Sequence, residues 1–185
     1  MKILHTILLL LLVLSLMGCH LKTVPTGSTP GLTVPSGDDA ETCRTPPVLT
    51  LMHDHGSNEA LLGTYSWNYG KGDGTWAGIE ADAMHPLDCQ DSLLPIGTEN
   101  LYAELSFAVE PDSFTIRCWH DSQWGNYDAQ AEAIAHHGNV FELLPGGYVY
   151  EVTATWNDDG EAFYGTAHYA FYVTAGVYGV MPIHK

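Results

Sequence analysis

Apolar residues recur at every second position through most of residues 47–185, a periodicity that strands satisfy and helices do not. Leu61, Gly63, Tyr65, Trp67 and Tyr69 alternate with Leu62, Thr64, Ser66 and Asn68, while Leu101, Ala103, Leu105 and Phe107 alternate with Tyr102, Glu104 and Ser106. Successive side chains of a strand point to opposite faces, so each run predicts a half-buried strand. The pattern returns in Phe114, Ile116 and Cys118, in Tyr148, Tyr150, Val152, Ala154 and Trp156, and in Phe163, Ala167, Tyr169, Phe171 and Val173. Segments 47–53 and 75–83 carry it more weakly. Only Ala129 to His137 reads as helical, as a short exposed turn or two.

The connections have turn chemistry. Pro111 stands at the second position of Glu110-Pro111-Asp112-Ser113, which suits a type I turn, and Gly146 after Pro145 suits the positive φ of type II. Asn157-Asp158-Asp159-Gly160 closes a last hairpin. About seven strands joined by short turns predict an all-β fold, an antiparallel β-sandwich of immunoglobulin or fibronectin type III character. Tyr148 or Tyr150, after the Pro145-Gly146-Gly147 corner, is placed like a tyrosine corner.

The N-terminus has different grammar. Lys2 supplies a minimal positive start, Ile7 to Leu16 is almost unbroken apolar sequence, and Gly18 precedes Cys19. That is a signal peptide over residues 1–18, and it is shorter than the roughly 20 apolar residues a spanning helix needs. Leu16-Met17-Gly18-Cys19 resembles the lipobox of bacterial lipoproteins. The resemblance implies that Cys19 is diacylated and becomes the mature N-terminus, on the extracellular face of the cell membrane. Residues 19–46 are rich in Pro, Gly, Ser and Thr, too polar to bury a core. They read as a linker that reaches roughly 30 Å as a flexible coil. Residues 47–185 form the single domain.

Charge narrows the partners. The chain has six Lys and Arg against 22 Asp and Glu, a net charge of −16. Removing Lys2 with the leader leaves five against 22, or −17. Scattered basic residues of that number cannot neutralise a phosphate backbone, so no nucleic acid is expected. Anionic head groups are repelled too, which leaves the lipid as the membrane attachment.

Several clusters invite chemistry. His53 and His55 at i and i+2 of a strand share a face, so together they are the candidate zinc ligands; the alternative is that they are solvated at a strand end beside Gly56-Ser57-Asn58. The Asp- and Asn-containing turns at 71–74 and 157–161 offer oxygen donors without the twelve-residue calcium spacing, and backbone turn preferences account for them. Gly-x-Ser-x-Gly, HExxH and phosphate-cradling glycine loops are absent from the sequence, so no catalytic residue is assigned. With Cys19 acylated, Cys43, Cys89 and Cys118 remain, and export permits disulfides. Cys43 lies at the flexible boundary and Cys118 shares the inward parity of Ile116, so Cys89–Cys118 is the favoured pair; three reduced thiols are the alternative in an anaerobic host. In the last strand the outward parity falls on Tyr164, His168 and Tyr172, a strip suited to recognition, or else simply to cross-strand packing.

Gly63 to Tyr69, Ile79 to Asp82 with His85-Pro86-Leu87, Cys118 to Ser122, and Gly165 to Val173 together resemble an uncharacterised domain of Firmicute lipoproteins and of the extracellular ends of BlaR1-like membrane sensors. The resemblance spans most of 58–174 and implies a sensing role. It does not imply β-lactam binding, because the Ser-x-x-Lys nucleophile of those sensors' penicillin-binding domain has no counterpart here. The expected function is therefore a lipid-anchored, extracytoplasmic β-sandwich that binds or senses an unidentified ligand or cell-surface protein. The alternatives are a zinc-binding lipoprotein, scavenging the metal or using it for hydrolysis, and a structural or inhibitory envelope protein.

Overall fold

The computed structural model describes residues 44–158 and 162–176. The expected signal peptide, Cys19, the expected linker up to residue 43 and the tip of the Asn157 to Gly160 turn lie outside the described residues. The strands, in chain order, are β1 (Leu49–His53), β2 (Gly56–Glu59), β3 (Leu61–Gly70), β4 (Trp76–Ala81), β5 (Pro95–Thr98), β6 (Tyr102–Phe107), β7 (Ser113–His120), β8 (Glu132–Ile134), β9 (His136–His137), β10 (Val140–Glu142), β11 (Gly146–Trp156) and β12 (Phe163–Ala175). One sheet has the order β2-β1-β6-β10-β9; the larger has β4-β3-β12-β11-β7-β8, with β5 also pairing with β12. Pairing is antiparallel throughout except between β5 and β12.

The two sheets pack face to face as an all-β sandwich. Leu49, Leu51, Ala103, Leu105, Phe107 and Phe141 of the smaller sheet meet Trp67, Ile116, Tyr150, Val152, Ala154, Trp156, Tyr169, Phe171 and Val173 of the larger. The inward parities expected for β7, β11 and β12 are realised, and those of β6 hold from Ala103 to Phe107. Trp67, fully buried, stacks on Phe163 at 5.0 Å and meets Trp156 edge-on at 5.3 Å. Tyr150 is the corner tyrosine: its hydroxyl accepts the Leu144 backbone N–H at 2.8 Å. Gly146 has φ +111, a conformation that a side chain would strain.

Three expectations need correction. Residues 129–137 form no helix; Ile134 instead pairs with Ile116 at the sheet edge and packs against the core, which secures β8 as a strand. Leu61 does not share the inward face of Trp67. Ala167 pairs with Tyr65 and Tyr169 with Leu62, so Gly63 and Thr64 stand opposite His168 alone, and this bulge inverts the parity of β3. Leu61 thus joins the outer cluster. A Cβ at Gly63 would lie 3.2 Å from the His168 carbonyl oxygen, tight enough to favour glycine there. The short strands β2, β5, β8, β9 and β10 go beyond the strands that the periodicity predicts.

The outer face of the larger sheet is covered in part. Leu87, Cys89 and Leu93, from the segment between β4 and β5, bury Trp119, Val149 and Ala170 beneath them. Their 3-10 turn at Pro86–Asp88 starts with proline and is capped by His85, whose Nδ1 accepts the Leu87 N–H. The chain from Asp121 to Ala131 arches beside this segment and is tied to it where the Gly125 N–H donates to the Leu87 carbonyl.

Candidate functional site

A cleft of about 320 Å³ opens on the outer face of the larger sheet, between the β3 bulge and residues 83–86. Leu61, Met84 and Pro86 give it apolar walls, while Thr64, His85, Arg117, Glu151 and His168 bring polar groups into it. The bulge belongs to the site because it leaves His168 facing two residues of β3 instead of one. Bulges commonly re-aim side chains in this way.

Glu151 is the unusual group. It lies in β11, between β7 and β12, and is only 5% exposed. Directly opposite in β7 is Arg117, whose Nε donates to Glu151 Oε2. The Arg117 guanidinium also sits 5.0 Å above the Trp119 ring, which fixes its plane. On the β12 side, His168 Nδ1 lies 3.1 Å from Thr153 Oγ1 and 3.6 Å from Glu151 Oε1. Burial pushes the Glu151 carboxyl up, but His168 and Arg117 outweigh it and hold the group below the usual glutamate range. Glu151 is therefore an ionised, pre-oriented carboxylate within a largely apolar recess. That combination can orient one polar group of a ligand while the walls cover its body.

The strip expected on β12 divides. His168 lies in the cleft as described. Tyr172 is half-buried at the other end, where its hydroxyl donates to Asp121 Oδ2 at 3.0 Å and its ring meets Trp124 at 5.3 Å. Tyr164 packs on Trp76 of edge strand β4 at 5.4 Å. The three share the outward parity and are each half-buried, with Trp76 and Trp124 packed against the two tyrosines.

The expected cysteine pair is not formed. Cys89 and Cys118 are both free and buried, and they lie on opposite faces of the larger sheet, Cys118 in the inter-sheet core and Cys89 in the outer cluster. Burial, and then Glu132, pushes the Cys118 thiol up to about 12; burial, and then Asp88, raises that of Cys89. Neither is a thiolate at neutral pH, so neither is an activated nucleophile.

His53 and His55 do not share a strand face as expected. β1 ends at His53, and the chain reverses through Asp54 and His55 to set Gly56 opposite His53. The two ring nitrogens of His53 are engaged, Nε2 with Asn58 Oδ1 at 2.8 Å and Nδ1 with the His55 N–H at 3.3 Å. Asp54 sits between the two rings, Oδ1 3.7 Å from His53 Nδ1 and Oδ2 3.8 Å from His55 Nε2, and also accepts from the Thr98 hydroxyl and the Glu99 and Asn100 N–H groups. No group of three or more His, Cys, Asp or Glu among the described residues is placed to hold a metal ion.

Sequence reasoning passed over Glu151 and Arg117. An acidic residue at the outward parity of a strand looks solvated, and only the distant segments that cover this face reveal its burial. No family model matches the chain, and no curated protein or solved structure is detectably similar to it. The functional reading rests on the site's own chemistry.

Proposed function

We propose that this chain is a lipid-anchored, extracytoplasmic β-sandwich module that binds a small amphipathic ligand in the outer-face cleft, as the recognition part of a sensing or accessory system. The observation that carries the reading is the ionised, 5% exposed Glu151 held between Arg117 and His168 beside apolar walls. A carboxylate costs free energy to desolvate, and an orienting role for ligand gives a reason for its place in this face. The lipobox-like Leu16-Met17-Gly18-Cys19 supplies the anchor, with two acyl chains giving stable attachment.

The test is a ligand-observed NMR screen of the full chain against small molecules that join an aryl or aliphatic body to one amine or amide. Binders are expected to lose their signal on Met84→Asp, a change at a side chain 66% exposed on the cleft wall, where the fold tolerates a charge. A screen without binders, or binders indifferent to Met84→Asp, defeats the cleft reading. In parallel, Cys19→Ala is expected to abolish fatty-acid labelling and release the protein from the membrane; labelling that survives defeats the anchor.

A further inference from the structure

A second, open depression of about 480 Å³ lies beside the arch of residues 121–131, with His120, Asn126, Gln130 and Glu132 exposed on it, and shares none of the cleft's lining residues. It exists because β8 is short. β8 pairs only with Ile116, Arg117 and Cys118, so the last residues of β7, Trp119 and His120, lack a neighbour on that edge and the arch spans the gap. Its side-chain lining is mainly polar: His120, Gln123, Asn126, Gln130, Glu132 and Tyr148.

The arch is built rather than slack. Turn hydrogen bonds run from the Trp124 N–H to Asp121, from Asn126 to Gln123 and from Ala129 to Asn126, and the Trp119 indole N–H pins the Ala129 carbonyl at 3.0 Å. Asn126 Nδ2 donates to Gln123 Oε1 at 2.8 Å, which fixes both carboxamides and leaves the Gln123 NH₂ and the Asn126 oxygen for other partners. The Tyr148 ring, edge-on to His120 at 5.1 Å, forms part of the wall.

We propose that this depression binds a neutral, polyhydroxylated ligand, the chemistry of a carbohydrate. Three carboxamides and one carboxylate offer donors and acceptors side by side, and a hydroxyl is both donor and acceptor, so vicinal hydroxyls can satisfy adjacent groups at once. Glu132 is the only acidic side chain in the lining and neither Lys nor Arg is present. An anion meets repulsion there, and a cation pairing with one exposed carboxylate gains little in water. An uncharged ligand uses every group without giving up the hydration of a charge. The aromatic wall suits the apolar C–H face of a sugar ring, and the volume lies within the roughly 300–1,000 Å³ of small-molecule sites. The fixed arch lowers the ordering cost of binding.

The experiment is a titration of the isotope-labelled full chain, followed by backbone amide shifts, with methyl β-glucoside, methyl β-galactoside, N-acetylglucosamine and the β-1,4-linked disaccharides of glucose and N-acetylglucosamine. The expected result is saturable shifts at millimolar concentration or below for at least one sugar, confined to residues 118–132 and 148. Gln130→Ala, an exposed position, and Gln123→Ala are each expected to weaken that binding at least fivefold, whereas Tyr102→Ser on the far sheet leaves it unchanged. Absence of shifts with every sugar at 50 mM overturns the proposal. So does binding indifferent to both glutamine variants, or an equal response to the uncharged dipeptide N-acetyl-alanyl-alanine amide, which would assign the depression to peptide.

Discussion

Replacing Arg117 by Met tests whether Glu151 is truly a buried charge that depends on its partner. The Glu151 side chain is 6% exposed and that of Arg117 47%, so removing the arginine strands a carboxylate that water barely reaches. Breaking a buried pair costs about 3–5 kcal/mol. Arg117 is half in solvent and His168 remains 3.6 Å away, which brings the expectation to about 2–3 kcal/mol at pH 7.5, or a fall of roughly 6–15 °C in Tm. The pH dependence is the sharper signature. In the parent the Glu151 carboxyl lies below its ordinary range, so its contribution is present above the unfolded value of 4.5 and fades as pH falls below it. Without Arg117 burial dominates, the carboxyl moves up, and the penalty fades as protonation relieves it. Urea unfolding of parent and variant at pH 7.5 and 5 is therefore expected to show a gap that narrows with acid. The Arg117→Met, Glu151→Gln double variant, with no charge left to bury, should recover about half the loss. A gap independent of pH, or a double variant that loses as much as both single changes added, refutes the account.

Two further outcomes follow from the geometry. Tyr150→Phe removes the acceptor of the Leu144 N–H inside the core and should cost about 1–3 kcal/mol in urea unfolding with an unchanged m-value; a cost under about 0.5 kcal/mol contradicts the corner's role. Asp54, drawn down to about 2 chiefly by the Thr98 hydroxyl, against burial and with help from the Asn100 and Glu99 N–H groups and His55, clips the β1–β2 turn to the loop before β6. Its stabilisation is complete above 3.8 and lost as pH falls through about 2, so the difference in urea midpoint between the parent and Asp54→Asn should be present at pH 6 and vanish near pH 1.5; an unaltered difference contradicts it.

The long strands were legible because their inner face is continuous: Val152, Ala154 and Trp156 of β11 announce a buried side whatever pairs with it. Five short strands were not. β2 is Gly56-Ser57-Asn58-Glu59, every residue exposed, and becomes a strand only because β1 offers an edge. β8 lies in the one stretch that reads as helical, while its state is decided by Ile116 across the ladder. The site was less legible still. Period two correctly sends Glu151 and His168 to the outer face, but it cannot say whether that face is wet. Leu87 and Trp124, remote in sequence, cover parts of it, and a bulge at Gly63 and Thr64 shifts the register beside His168. The i, i+2 rule failed for His53 and His55 for a related reason: it holds only while the strand continues.

The position of β12 bears on how this chain acquires its structure. β12 lies inside the larger sheet, takes β11 along one edge, and divides the other between antiparallel β3 and parallel β5, with Phe163 opposite Tyr69 and Val173 beside Ile96. β11 is its hairpin neighbour, but β3 and β5 are separated from it by long stretches of chain, and such non-local pairings slow folding because loop closure precedes any gain from contact. Until residues 163–175 are available, β3 has only its hairpin with β4 in this sheet, and β5 has no strand to join. Synthesis from the N-terminus therefore leaves the large sheet without its middle until β12 is made, and assembly of the sandwich waits for that strand. Up to that point the earlier strands keep open edges, which makes them candidates for chaperone capture or for aggregation.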